Sequence, residues 1–160
     1  MAANYKDYRK EYDKKFAEIE KMANSYVTIG FHENSVTRSQ VKGQRRKEAG
    51  LSMAGIAAQN EFGTRTIPAR PFMTTSFDEN RQRISQIIDA EYTKIIDGES
   101  TVKRSLSALG LFMVDLIQTK IRAIHYPPNS PRTIAAKKSS KPLIDFGQMI
   151  EAVKSKVVIQ

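Results

Sequence analysis

Cysteine and tryptophan are both absent from the 160 residues of this chain, and only two histidines occur. The missing cysteine removes disulfides, thiol nucleophiles and thiolate metal sites together. His32 and His125 lie far apart in sequence and form no HxxxH or HxH spacing, so each reads as a loop or helix-end residue rather than a metal ligand. A Walker-type loop, GxGxxG and GxSxG are also lacking. Carboxylates are present, but Asp78, Glu79, Asp89 and Glu91 share their stretch with Arg81, Arg83 and Lys94. That mixture describes a solvated face, not the clustered acids of a metal-dependent nuclease. No apolar run approaches the roughly 20 residues of a membrane span. The opening Met-Ala-Ala-Asn-Tyr-Lys-Asp-Tyr is too polar for a secretory signal. These absences lead us to expect no enzymatic activity, no metal, no cofactor and a protein made in the cytoplasm.

Positive charge, in contrast, is in excess: Lys and Arg number 26 against 17 Asp and Glu, a net charge of +9. Such a balance favours polyanions such as DNA, or an acidic partner surface. Arg38, Lys42, Arg45, Arg46 and Lys47 fall in one stretch without an intervening acid, and Arg132, Lys137, Lys138 and Lys141 form a second group. The two groups are either solvated loops or electrostatic docking elements. Neither is interleaved with aromatics that could stack on bases, which argues against base recognition.

Hydrophobic periodicity divides the chain as follows. Residues 4–23 read as a highly charged helix in which Tyr5, Tyr8, Tyr12, Phe16 and Ile19 recur at spacings of three and four and share a stripe. That stripe packs either on its own domain or on a neighbouring subunit. Ser25 to Phe31 reads as a strand, rich in β-branched and aromatic residues. Residues 33–50 lose all periodicity and carry the first basic group, so a long exposed loop is expected, of a kind that can order on meeting a partner. Ser52 is a candidate N-cap for a short helix to Phe62 with Met53, Ile56, Ala57 and Asn60 on one face. Gly63 is suited to end it. Pro68 and Pro71 predict a stiff extended connector from Thr64 to Arg70, with edge-strand character, and Phe72 and Phe77 are expected in the core.

A second helix is predicted over 74–97, with Thr74, Thr75 and Ser76 as cap residues and Ile84, Ile87, Ile88, Ala90 and Ile95 buried. A third, over 101–124, carries Val102, Leu106, Leu109, Met113, Ile117, Ile121 and Ile124 at helical spacing. Leu111, Phe112, Val114 and Leu116 widen that stripe, which predicts a central helix touched on several sides. Gly110 inside it costs about 1 kcal/mol against Ala and points to a close crossing. Ser130 and Pro131 suggest the start of a brief helix. Gln148 to Ala152 form a last helical turn, and Val157, Val158 and Ile159 a closing strand.

The run Ile56-Ala57-Ala58-Gln59-Asn60-Glu61-Phe62-Gly63-Thr64, followed by Ile67-Pro68-Ala69-Arg70-Pro71-Phe72, resembles the EFGT…IPARPF signature of the long-tailed phage virion-morphogenesis proteins, a family of minor tail, neck and tail-completion proteins. Farther on, Pro127-Pro128-Asn129-Ser130, then Arg132 to Lys138, then Lys141-Pro142-Leu143-Ile144-Asp145-Phe146-Gly147, resembles the C-terminal region of that family, where a PLxxTG element precedes a short helix and a strand. Phe146 stands where that element usually has Thr, leaving Asp145 to cap the helix. The similarity covers about residues 25–160 and excludes the basic loop. It divides the chain into an N-terminal helical arm, 1–24, and a single domain, 25–160. Glu61, Phe62, Gly63, Pro68, Arg70, Pro71, Phe72, Pro142, Leu143 and Gly147 are the residues that match.

What the resemblance implies is an α+β protein with a small antiparallel or mixed sheet packed against two long helices. The N-terminal amphipathic helix and the long basic loop complete it. The implied role is structural, in the phage neck or tail, completing the tail end or the head–tail junction. Such subunits form homo-oligomeric rings through which DNA passes, either hexamers or dodecamers, with closing heterologous interfaces. The implied partners are further copies of the chain, neighbouring neck, tail-terminator or tail-tube proteins, and genomic DNA in passing, with no membrane. The implied location is the virion, and the host cytoplasm during assembly. In that setting the basic loop and the N-terminal helix become docking arms. The charge alone supports a different expectation, a DNA-binding protein acting outside any virion.

Overall fold

In a computed structural model of the chain, the residues described are 5–32, 52–123, 128, 131, 134–135 and 147–160. Among the described residues seven elements follow in order: α1 (Tyr5–Asn24), β1 (Tyr26–Phe31), α2 (Met53–Phe62), α3 (Phe72–Asp97), α4 (Val102–Arg122), α5 (Gln148–Ala152) and β2 (Val153–Val158). The class is α+β, mostly helical, with β1 and β2 paired as a two-stranded antiparallel sheet. The expected loop 33–50, the brief helix after Ser130, and Ile124, Asp145 and Phe146 lie outside the described residues, apart from isolated positions of that helix.

Most elements stand where the periodicity predicts them, and the differences have local causes. Ser52 caps α2 as expected, its hydroxyl accepting from the Gly55 N–H at 3.1 Å. The connector from Thr64 to Arg70 is a series of bends and carries no strand. Helix α3 begins at Phe72, so Thr74, Thr75 and Ser76 lie inside its first turns and do not precede it. There the hydroxyls of Thr75 and Ser76 turn back to the carbonyls of Pro71 and Phe72. Strand β2 starts at Val153, directly after α5, earlier than the apolar run at its end suggests. The inward Val153, Ser155 and Val157 alternate with the exposed Lys154 and Lys156, the period-2 pattern of a half-buried strand.

Contacts group the chain into two compact units, one drawn from Met1–Thr28, Asn80–Met113 and Ser155–Gln160, the other from Ile29–Glu79 and Val114–Lys154. The second unit holds the main apolar cluster: Met53 and Ala57 of α2, Phe72 of α3, Ile117 and Ile121 of α4, Met149 of α5 and Val153 of β2. Phe72 is fully enclosed and meets the ring of Phe31 edge-on, with centroids 6.1 Å apart. Within this unit Lys120 of α4 reaches both carboxylate oxygens of Glu79 at 2.7 Å. Gln118 donates to the carbonyl of Ile150 at 3.0 Å.

In the first unit Ile95, Val102, Met113 and Ser105 are buried. The Arg83 guanidinium lies over the Phe112 ring, 4.8 Å from its centroid, within the range of a cation–π contact. Helix α1 is seated through Lys15, Glu18 and Met22, all half-buried. The aliphatic stem of Lys15 lies against Gly98. Glu18 accepts the Val102 N–H at 2.9 Å, adding to the local cap that the Thr101 hydroxyl gives the Arg104 N–H. Several expected core residues are exposed: Ile88 and Ala90 on α3, Leu111 on α4, and Phe77, which keeps 37% of its surface. A 3.6-residue period identifies apolar faces but does not say which of two adjacent faces meets a neighbour.

Gly110 explains how α4 meets the sheet. A Cβ added there would stand 2.8 Å from the Cβ of Ser155 and 3.0 Å from a methyl of Val27. Gly110→Ala is therefore expected to destabilise by about 1–3 kcal/mol through overpacking, exceeding the roughly 1 kcal/mol gained in helix propensity. Adding Ser155→Gly should recover part of the loss in urea midpoints, and a Gly110→Ala variant as stable as the parent would contradict this packing.

Two carboxylates make this unit sensitive to acid. The Lys21 ammonium, then the Val102 N–H, hold Glu18 below the ordinary carboxylate range against the opposing effect of burial. Lys94, then the Ser105 hydroxyl, do the same for Glu91. A carboxylate depressed in the fold contributes stability that is present above its unfolded pKa and lost as pH falls through its folded value. Stability should therefore decline below about pH 4.3. The Glu18→Gln, Glu91→Gln double variant should start lower at pH 7 and decline less steeply, and identical slopes in urea titrations would refute the assignment.

Candidate functional site

Glu61, Gly63, Arg70, Pro71 and Phe72 form the corner between α2 and α3, and its design follows from Pro71. The carbonyl of Pro71 accepts the Thr75 N–H at 3.1 Å, so Pro71 occupies the N-cap of α3. An N-cap side chain ordinarily satisfies the N–H groups two and three residues on, and proline has no group able to do so. Glu61, from the last turn of α2, takes over the task. Its carboxylate accepts the Met73 N–H at 2.9 Å, the Thr74 N–H at 2.8 Å and the Thr74 hydroxyl at 2.6 Å. The residue is 7% exposed. The negative charge also faces the positive end of the α3 dipole.

Around this cap the connector is tied to α2. Asn60 donates to the carbonyl of Ile56 at 2.9 Å and accepts from the Arg70 guanidinium at 3.0 Å. The Arg70 N–H returns to the carbonyl of Asn60. Arg70 is only 4% exposed, and burial lowers its pKa. Thr64 accepts from the N–H groups of Thr66 and Ile67 through its hydroxyl. Gly63 has φ 75°, and a Cβ there would stand 2.9 Å from the Ala69 nitrogen, so the turn closes only on glycine. Pro68 and Pro71 are exposed on the outside of the bend. Gly147 directly precedes α5.

The corner therefore brings together Glu61, Gly63, Arg70, Pro71 and Phe72 as a folding device. Phe62 turns outward and is 79% exposed. Tyr8, Tyr12 and Phe16 of α1 share this outward character, as do Ile88, Tyr92 and Ile96 on α3. Most of the α1 stripe is thus exposed: Tyr8, Tyr12, Phe16 and Ile19 keep 63, 70, 52 and 41% of their surface. Arg38, Lys42, Arg45, Arg46, Lys47, Arg132, Lys137, Lys138, Pro142, Leu143 and the side chain of Tyr5 lie outside the described residues.

No group of three or more metal-ligating side chains occurs among the described residues. An open groove of about 590 Å³ is lined in part by Glu18, Lys21, Val102 and Val157, and its carboxylate is already held by Lys21 and the Val102 N–H. Among the described residues no helix is long and apolar enough to cross a membrane. Comparison with protein-family models, curated proteins and solved structures yields no match to this chain.

The role of Glu61 escapes a reading by periodicity, although a signal for it exists. It is the one charge in α2, and it sits near the helix C-terminus, where an acid opposes the dipole. A locally unfavourable charge of that kind indicates a tertiary partner. Glu61→Gln should cost about 1–3 kcal/mol, because an amide offers one acceptor oxygen to three donors and removes the charge that faces the helix start. Pro71→Ser in that background should restore about 1 kcal/mol by supplying a local cap, while Phe62→Ser should stay within about 0.5 kcal/mol of the parent. Chemical denaturation of the four proteins checks the set, and a Glu61→Gln protein of unchanged stability would refute the cap.

Proposed function

We propose that the chain is a structural component of a phage neck or tail end, one subunit of an oligomeric ring that completes the tail or the head–tail junction around the DNA path. The observation that carries this reading is the outward placement of large apolar side chains: Phe62, Tyr12, Leu111 and Tyr8 are the most exposed of their kind. On α1, Tyr8, Tyr12, Phe16 and Ile19 follow one another at helical spacing and all are exposed, and an apolar stripe left in water marks a contact with another protein. The motif supports it from the other side, since its polar residues are consumed in building the corner. The subunit then works through surfaces offered to its own copies and to neighbouring neck, tail-terminator or tail-tube proteins, and the net charge of +9 favours acidic neighbours and passing DNA.

Reversing Arg45, Arg46 and Lys47 to Glu should abolish incorporation into particles while leaving the far-ultraviolet circular dichroism unchanged. Purified particles containing that variant at the normal level would count against docking through the basic stretch, and absence of the parent protein from particles would defeat the reading as a whole. The charge favours a second reading, a DNA-binding protein acting outside a virion. It requires a mobility shift whose affinity falls steeply with salt, and no shift at low salt removes it.

A further inference from the structure

We propose that α1 is a strap that opens from the first unit as one piece, pivoting at Asn24 and Ser25, while the rest of that unit stays folded. The inference stands on contacts within the first unit and is independent of any place in a particle. Helices α2, α3 and α4 each carry buried apolar side chains, such as Met53, Ile95 and Met113. From Asp7 to Asn24 of α1 no residue is buried, and only Lys15, Ala17, Glu18 and Met22 are half-buried. Seating this helix therefore removes little apolar surface from water, and burial of an apolar face is what ordinarily holds a helix to its domain. Segments with few buried apolar contacts open at a fraction of the free energy of global unfolding.

The polar contacts of α1 are of two kinds. The ion pairs of Lys15 with Glu11 and of Lys21 with Glu18 lie within the helix and travel with it. Asp7 in its first turn and Lys21 in its last suit the helix dipole, so the helix carries support of its own. The ties to the rest of the unit are narrower. The Glu18 carboxylate accepts the Val102 N–H at 2.9 Å, and the stem of Lys15 lies on Gly98. Helix α4 keeps its own cap when the first tie breaks, because the Thr101 hydroxyl still serves the Arg104 N–H, and the freed Val102 N–H can bond to water. Glu18 and Lys21 also line the open groove of about 590 Å³, together with Val102, Val157 and Ile159, so this part of α1 spans a gap and does not fill it. At the other end Ser25 is the one residue between α1 and β1, and its N–H donates to the Lys21 carbonyl at 3.1 Å. A change of backbone angles at Asn24 and Ser25 swings the helix away and leaves β1 paired. The opening uncovers Val102 and the aliphatic lining of the groove.

Because the chain has no cysteine, a single introduced thiol reports on its own position. Val102 and Met113 are both 2% exposed on α4 in the first unit, and of the two Val102 is the one bonded to Glu18. In the full chain the Val102→Cys thiol should react with dithiobisnitrobenzoate at least about 30-fold faster than the Met113→Cys thiol, since the strap opens more often than the unit unfolds. Adding Glu18→Ala should speed labelling at position 102 about tenfold and change it at position 113 less than about twofold, because one charge-assisted bond to the strap is lost. Alanine is the strongest helix former, so the circular dichroism should stay unchanged. Hydrogen exchange in the Glu18→Ala chain should quicken by one common factor across residues 12–22. Equal reactivity at the two positions, a rate at 102 indifferent to Glu18→Ala, or equal acceleration at both positions would each overturn the strap. Exchange that quickens only beside residue 18 would reveal local fraying and overturn the opening as one piece.

Discussion

The carboxylate of Glu61 on the first turn of α3 is the contact from which the architecture around it follows. Pro71 at the N-cap stops the connector in the geometry a helix start requires, but it leaves the N–H groups of Met73 and Thr74 without a local acceptor. Buried N–H groups left unpaired cost more than most packing contacts return. The acceptor comes from another element, α2. Once Glu61 is in place, α2 cannot slide or turn relative to the start of α3. Phe72 then enters the core against Phe31, and Asn60 with Arg70 closes the connector behind it.

The first unit repeats the device in a milder form. Helix α4 has a local cap in Thr101, and Glu18 adds a second acceptor at Val102 from a helix far earlier in the chain. In both cases a carboxylate joins helix ends that sequence separation would leave independent, and the macrodipole adds to each bond. The difference lies in burial. Glu61 is enclosed and gives up both oxygens to the backbone and to Thr74, whereas Glu18 shares its charge with the exposed Lys21.

A consequence of anchoring helices by polar contacts is that their apolar faces are free for other uses. Helix α1 shows it best: its seat is made by a lysine stem, a carboxylate and one methionine, and its aromatic stripe faces water. A helix held by its apolar stripe could not offer that stripe to a partner. The same separation marks the α2–α3 corner, where Glu61 points in and the adjacent Phe62 points out. Neighbouring residues of one helix thus serve different ends: Glu61 is spent inside the fold and Phe62 is left to the surface.

Sequence by itself determined the class and most of the elements. Helical spacing places α1 to α4 within a few residues, Ser52 and Gly63 mark the ends of α2, and Gly110 announces a close crossing, because each of these signals is local and acts within a turn of chain. The register of β2 is also written in the alternation of Val153, Ser155 and Val157, but a short helix running straight into the strand conceals it. Tertiary structure alone decided where the apolar faces point and which charges are spent inside. Tyr12 and Ile117 look alike in a periodicity count, yet one is exposed and the other is enclosed. Glu61 reads as a surface acid until the N-cap it serves, ten positions later in the chain at Pro71, is brought beside it. Spacing along a helix says which side chains share a face, but what that face meets depends on contacts between residues distant in sequence, and those exist only once the chain has folded.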